Sequence, residues 1–251
     1  MIDIHNHTTF SDGRDSADEV VRSAAISGLQ VIGISDHFDP YVSRQDVCLQ
    51  PNEIDAYVKE LEELKGKYQI KLLSGLEIGL QSMGIVWPGV EFDYYIYSVH
   101  TVPGLPELKD LEDPWEIYLD EVIMAVELID RPGFLGHLDF LRRHIPGATP
   151  PSPGAQMDML LRKLVENDIG LEMNTSGWLY NLGDSTPQRW VIERYIELGG
   201  HLITLGSDSH RAVNVGSYIS KAIGVLKELA VKQVFYAENG CYVPFNIQEM
   251  V

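Results

Sequence analysis

His5 and His7, in Ile2-Asp3-Ile4-His5-Asn6-His7-Thr8, stand at the end of a short apolar run near the start of the chain. Residues two apart on an extended strand point to the same side, so both imidazoles are offered to one point. Neutral imidazole is the commonest metal ligand among side chains. Asp12, in the Ser11-Asp12-Gly13 turn that follows, adds a hard oxygen to the same site or to its neighbour. A lone His-x-His is a short motif, so the other histidines and carboxylates must decide how it is read.

Those groups are placed by the elements that carry them. Ser16 is a good N-cap for a helix over 17–27, with Gly28 as its stop. The buried run 29–35 then delivers Asp36 and His37. A polar helix over 51–65 leads to strand 70–77, which ends on Glu77. Strand 94–99, rich in aromatic and β-branched residues, ends on His100. Helix 113–130 precedes strand 133–136, which ends on His137. Helix 155–167 feeds strand 169–174, and helix 187–198 feeds strand 201–207, followed by Asp208-Ser209-His210. A helix over 215–229 and a strand over 233–236 close the chain.

Strands alternating with helices imply βαβ units and a parallel sheet, and seven or eight of them suggest a closed barrel. In such barrels the chemistry sits at the carboxyl ends of the strands. Six of the 8 histidines (His5, His7, His37, His100, His137 and His210) fall at or just beyond such an end, with Asp12, Glu77 and Asp208 beside them. His201 opens its strand instead, at the opposite face, and reads as structural. His144, after Arg142-Arg143 in a loop, reads as a solvated or substrate-side residue. Nine candidate ligands exceed the roughly four that one zinc ion uses. Two or three ions are implied, with Glu77 as the natural bridge because carboxylates bridge and imidazoles do not.

At 251 residues, with 45% hydrophobic and 22% charged residues, the chain fits one barrel domain over 1–251. The net charge of −18 argues against nucleic acid or an anionic membrane as a partner, since either needs a basic footprint. An anionic substrate is still feasible, because screening confines long-range repulsion to roughly 8 Å and local metal ions and arginines dominate a pocket. No apolar run approaches the ~18 residues of a membrane span. The first strand leaves no room for a cleaved leader, and Cys48 and Cys241 stand alone, so the expected compartment is the cytoplasm.

With these residues in hand, the chain resembles the PHP (polymerase and histidinol phosphatase) superfamily of metal-dependent phosphoesterases. The resemblance rests on His5-Asn6-His7-Thr8 with Ser11-Asp12-Gly13, Ser35-Asp36-His37, Gly75-Leu76-Glu77, Ser98-Val99-His100, Gly136-His137-Leu138-Asp139 and Gly206-Ser207-Asp208-Ser209-His210. Ser98-Val99-His100, Gly136-His137-Leu138-Asp139 and Leu171-Glu172-Met173-Asn174-Thr175-Ser176-Gly177 look like the histidinol-phosphatase branch in particular. The resemblance implies a distorted seven-stranded (β/α) barrel, TIM-like, with a trinuclear site at the carboxyl ends of its strands. One ion would take His5, His7, Glu77 and Asp208; a second Glu77, His100 and His137; a third Asp12, His37 and His210. Mixed nitrogen and oxygen ligands suit zinc, manganese or iron. Two features depart from the branch. Asp12 stands where a histidine is frequent, and Trp178-Leu179-Tyr180 occupies the place of a basic residue that commonly follows Asn-Thr-Ser-Gly.

The implied reaction is hydrolysis of a small phosphate monoester, histidinol phosphate first, by a hydroxide bridging two ions. Glu77 and Asp208 are the carboxylates expected to serve the reaction as well as the metals. Arg142 and Arg143 are expected to contact phosphate, and Asp36 and Asp139 to orient imidazoles. An alternative is a PHP-type hydrolase of a phosphodiester, nucleotide or non-phosphate ester, with Trp178, Tyr180 and Trp87 shaping an aromatic pocket. A non-catalytic metal-binding module is a third reading, disfavoured because structural ions need closed four-coordinate sites. Oligomeric state is left open.

Overall fold

A computed structural model describes residues 1–103, 114–145, 147, 150 and 154–248. The apolar runs become β1 (Ile2–Asp3), β2 (Val31–Ile34), β3 (His37–Phe38), β4 (Lys71–Gly79), β5 (Tyr94–Ser98), β6 (Gly133–Leu135), β7 (Gly170–Asn174) and β8 (Ile203–Gly206). They pair in the order β1-β2-β4-β5-β6-β7-β8, and every pairing is parallel. β2 and β3 lie end to end along β4, which makes seven staves. Four backbone bonds join the β8 segment to the β1 segment: Ile4 N–H to the Leu205 carbonyl (3.0 Å), Asp208 and Ser209 N–H to that of His5 (2.8 and 3.4 Å) and His7 N–H to that of Ser209 (2.9 Å). The fold is the expected distorted (β/α)7 barrel.

Its outer layer follows from local sequence. α1 (Ala17–Ile26) starts with a capping box, in which the Ser16 hydroxyl accepts the Glu19 amide (3.4 Å) and the Glu19 carboxylate accepts the Ser16 amide (2.9 Å). Such a cap contributes about 1 kcal/mol. The helix buries Ala17, Val20, Val21 and Ala24, a stripe at helical spacing. α2 (Ile54–Leu64) buries Ile54, Tyr57, Leu61 and Leu64. Full burial of such aliphatic side chains contributes roughly 1.5–3 kcal/mol each. The Tyr57 hydroxyl donates to the Gly75 carbonyl (2.9 Å) and lies 3.2 Å from that of Ile34, tying β2 to β4 just below the rim. Next come α3 (Pro114–Ala125), α4 (Leu141–His144), α5 (Ala155–Glu166), α6 (Ser176–Leu179), α7 (Arg189–Glu197) and α8 (Ile219–Glu228). Inside the barrel the fully buried Tyr94 donates to the Ile4 carbonyl (2.6 Å).

Several expectations need correction. The third long helix ends at Ala125 and continues as a 3-10 turn, Val126–Leu128, short of residue 130; Asp113, its expected start, lies outside the described residues. Arg142, Arg143 and His144 sit in the one-turn α4 rather than in a loop. The last strand is half of an antiparallel hairpin, β9 (Gln233–Glu238) and β10 (Cys241–Asn246). This hairpin covers the amino-terminal end of the barrel, where the Tyr242 hydroxyl lies 2.8 Å from the carbonyls of both Gly133 and Asp168 and donates to one of them. Its turn, Asn239-Gly240, has φ of 50° and 69°, as a two-residue hairpin requires. β10 carries Pro244 and is half exposed, so its pattern resembles a loop while its edge position tolerates proline. No helix among the described residues is long and apolar enough to cross a membrane.

Candidate metal centre and cleft

Each stave delivers its polar group to the same rim. β1 runs into His5 and His7, both fully buried; β3 supplies His37 and β4 supplies Glu77; His100, His137, Asp208 and His210 follow β5, β6 and β8. Asp208 sits at φ 52°, in the left-handed region that few non-glycine residues adopt, a conformation held by the surrounding fold. Ring closure holds both ends of this set. The buried Asp3 accepts the Ser207 amide (2.8 Å) and hydroxyl (2.6 Å), which anchors the turn that carries Asp208.

Glu77 is a fork between two groups of imidazoles. Its Oε1 lies 2.9 Å from His137 Nε2 and 3.3 Å from His100 Nε2. Its Oε2 lies 2.8 Å from His37 Nδ1, 3.3 Å from His5 Nε2 and 3.5 Å from His7 Nε2. Asp208 Oδ1 is 3.3 Å from His7 Nε2, and Asp12 Oδ1 is 3.0 Å from His210 Nε2 and 3.6 Å from His37 Nε2. The His7 ring stacks against both His37 and His210, with centroids 4.3 Å from each. All nine expected ligands thus meet. Possible ligand atoms converge to within 4.8 Å in four overlapping sets: His5-His7-Asp208, His5-Glu77-His137, His37-Glu77-His100 and His7-Asp12-His37-His210.

The chemistry of this cluster fits divalent cations. His5 Nε2, His7 Nε2, Glu77 Oε2 and Asp12 Oδ1 are buried with no hydrogen-bond partner among the described residues. A buried polar atom left unpaired costs about 1–3 kcal/mol, and here four such atoms converge on shared space. Ionisation in the cation-free protein shows the same demand for positive charge. Burial opposes charge on Glu77 and Asp208. Even so, His37, His5 and His100 hold Glu77, and Arg143 and His5 hold Asp208, well below the usual carboxylate range. Burial alone would lower His100 and His210, but Glu77 and Asp39 carry the first up to about 10, and Asp12 and Asp208 the second up to about 9. His7 goes the other way: burial, then its neighbours His210 and His37, push it down to about 3.

Two carboxylates behind the rings orient them, and neither is Asp36 or Asp139. Glu172, fully buried on β7, has Oε1 2.6 Å from His5 Nδ1, while its Oε2 accepts the His137 amide (2.8 Å) and Asn174 Nδ2 (3.1 Å). Asp39 Oδ2 lies 2.9 Å from His100 Nδ1. Glycine makes room for both. A Cβ on Gly206 would stand 2.2 Å from Glu172 Oε1 and 2.4 Å from the His5 Cβ, and one on Gly79 would stand 2.1 Å from the Asp39 carboxylate. Asp36 instead holds the loop after His7, accepting the Thr8 amide (2.7 Å), the Thr8 hydroxyl (2.8 Å) and the Ser11 hydroxyl (2.5 Å). Asp139 accepts from Arg142 (3.1 Å) and the Gln188 amide (3.0 Å). Both positions had a readable signal. His37-x-Asp39 repeats the spacing of His5-x-His7, and Glu172 is a carboxylate inside an apolar strand.

A cleft of about 720 Å³ opens above the cluster, lined among others by Asp12, His37, His100, Arg143, Tyr180 and His210. Of the two expected phosphate contacts, Arg143 lines it and Arg142 does not. The Arg142 guanidinium is buried and spent on Asp139 and on the carbonyls of Ser185 (2.9 Å) and Leu182 (2.7 Å), so it serves the fold. His144 also lines the cleft. Of the expected aromatic pocket only Tyr180 lines it: Trp178 is buried at 7% exposure, and Trp87 packs against Tyr95 and Arg131. His201 lies at the opposite face against Phe235.

Comparison with known proteins follows this geometry. The PHP domain model matches residues 3–176. A protein of Thermotoga maritima named probable histidinol-phosphatase is 30% identical over 231 residues, covering 91% of this chain and 92% of its own. The histidinol-phosphatase of Lactococcus lactis is 28% identical over 255 residues, covering 90% of each. The solved structure of histidinol phosphate phosphatase from Lactococcus lactis, complexed with zinc, L-histidinol and phosphate, matches with a TM-score of 0.78 at 24% identity, covering 96% of this chain and 98% of that one. At that identity the structural likeness speaks for the fold, and the sequence likeness runs past the matched domain over almost the whole of both chains. This chain belongs to the PHP domain family, in its histidinol-phosphatase branch.

Proposed function

We propose that this protein is a metal-dependent phosphatase that hydrolyses a small phosphate monoester, histidinol phosphate first. The observation that carries the reading is the forked Glu77, whose two oxygens face separate groups of imidazoles at the base of an open cleft. Two or three divalent ions fit these residues. His5, His7, Glu77 and Asp208 would hold the first, Glu77, His100 and His137 the second, and Asp12, His37 and His210 the third. Zinc in the Lactococcus lactis structure favours zinc here. When bound, such ions acidify water and offset the charge on the non-bridging phosphate oxygens. Glu172 and Asp39 keep the ligand nitrogens of His5 and His100 aimed into the cluster. Arg143, at the cleft wall, holds a positive charge beside Asp208 (2.7 Å), where a phosphate oxygen can meet it.

The remaining proposals are coarser. The whole chain, 1–251, forms one domain, supported by the backbone bonds that join β8 to β1 across nearly its full length. Cys48 and Cys241 are not joined in a disulfide, which suits the cytoplasm. The test uses protein stripped of metal and reloaded with zinc, assayed against histidinol phosphate, p-nitrophenyl phosphate, nucleotides and a phosphodiester. Phosphate release should be fastest from histidinol phosphate and absent in His5→Ala and Glu77→Ala. Release from the reloaded protein no faster than from those variants overturns the proposal.

A further inference from the structure

We infer that Tyr180 is a positioning residue for phosphate: its ring holds the Arg143 guanidinium edge-on to the cleft, so that a cation absent from the Tyr180 loop is supplied from α4. The inference rests on the phosphatase reading above and deepens it. Trp178-Leu179-Tyr180 offers no basic side chain of its own. Arg143 reaches across from α4 and is fixed by three contacts. Its Nη2 donates to Asp208 Oδ2 (2.7 Å) and to Ser176 Oγ (2.5 Å), and its guanidinium carbon lies 4.4 Å from the centroid of the Tyr180 ring. Both hydrogen bonds fall on one nitrogen. Its Nε is buried, while its Nη1 makes no hydrogen bond among the described residues and remains as a donor for a ligand in the cleft.

Two bonds to a single nitrogen anchor only that corner of the guanidinium and leave its Nη1 end free to tilt by bending those bonds. A ring stacked on the face removes this freedom, because the attraction depends on the cation lying over the π surface. Tyr180 itself is 46% exposed and carries no hydrogen bond through its hydroxyl among the described residues, so the ring and not the hydroxyl is what Arg143 uses. The arrangement predicts that the ring is needed and its oxygen is not.

The test measures inorganic phosphate binding to the zinc-loaded protein by calorimetry, which removes any stacking of a substrate ring, alongside KM and kcat for histidinol phosphate. Tyr180→Phe should bind phosphate within about twofold of wild type, and Tyr180→Leu about three- to tenfold more weakly, the range of one cation–π contact. KM should rise with little change in kcat. In an Arg143→Ala background, Tyr180→Leu should have no further effect on phosphate. Unchanged phosphate affinity in Tyr180→Leu, or an equal loss with Arg143 absent, overturns this inference and leaves the phosphatase reading intact. A wild-type protein that neither binds phosphate nor releases it overturns both.

Discussion

Glu172→Gln is the sharpest test of how the centre is built. The carboxylate is fully buried and satisfies three donors at once: His5 Nδ1–H (2.6 Å), the His137 amide (2.8 Å) and Asn174 Nδ2 (3.1 Å). Glutamine preserves the volume but has one accepting and one donating end. Turned with its NH2 toward His5, it drives the imidazole proton onto Nε2, the atom that faces Glu77 and Asp208. Turned the other way, its NH2 opposes the His137 amide and Asn174. Either orientation forfeits a charge-assisted hydrogen bond, about 1.5–3 kcal/mol. Loss of an orienting partner behind a metal-bound histidine typically costs roughly 10–100-fold in metal affinity, which is about 1.4–2.8 kcal/mol at 1.4 per decade, so two independent routes give the same magnitude. Zinc affinity is read by competition with a chromophoric chelator at fixed pH, and thermal unfolding of the stripped protein separates metal loss from misfolding. Zinc binding by Glu172→Gln within twofold of wild type would refute the orienting role.

Four other perturbations follow from the same contacts. His100 and His210, at about 10 and about 9 against an ordinary 6.5, bind protons more tightly in the folded than in the unfolded chain. The stability they give the ion-free protein is complete below that ordinary value and is lost as pH rises through the folded values. The urea midpoint of stripped protein should therefore fall between pH 7 and 10, while zinc, which displaces those protons, binds more tightly and releases acid into a weak buffer; a flat midpoint counts against it. Arg142→Met leaves the buried Asp139 with only the Gln188 amide and no cation, and two carbonyls without their donor, and should cost about 3–5 kcal/mol of stability with KM unchanged. Arg143→Lys should raise KM about tenfold with little loss of stability, because a point charge replaces a planar fork; the reverse pattern would exchange the roles assigned to the two arginines. Gly206→Ala, whose Cβ falls 2.2 Å from Glu172 Oε1, should cost about 1–3 kcal/mol by overpacking and lower zinc affinity as Glu172→Gln does.

Legibility in the sequence followed the range of the interaction that fixes each residue. The strand-end placement of His5, His7 and His137 is a local property, since each stave announces itself by its apolar run and the ligand follows it, while Glu77 lies inside β4, two residues before its end. Barrel closure then forces those ends together. What sequence could not resolve is which way a polar side chain turns once it arrives. Arg142 and Arg143 are adjacent and chemically alike, yet on one turn of helix they point about 100° apart, so one enters the cleft and the other the protein. Asp36 and Asp39 present the same problem. Asp36, next to the ligand His37, points away to Thr8 and Ser11, while Asp39, two residues on along the short β3 line, shares its side and reaches His100. Glu172 was hidden differently, because its partner His5 is 167 residues away and only the register of β7 beside β8 and β1 brings them together.

The charge of the chain is resolved within the same few ångströms. A net charge of −18 should repel phosphate, and at the base of the cleft Asp12, Glu77 and Asp208, backed by Asp39 and Glu172, sharpen the difficulty. The imidazoles cannot relieve it for a ligand. The nitrogens of His5, His100 and His210 face these carboxylates at 2.6–3.3 Å, so the positive charge they take up is already neutralised where it sits. Arg143 brings permanent positive charge directly against Asp208, with one of its three nitrogens committed to Asp208 and Ser176, and Arg14 and Arg44 also line the cleft. Carboxylates this close to one another are costly unless cations join them. The carboxylates that by themselves make the cluster hostile to an anion are therefore those that concentrate cations in it, and attraction for phosphate belongs to the loaded centre together with one ring-braced arginine.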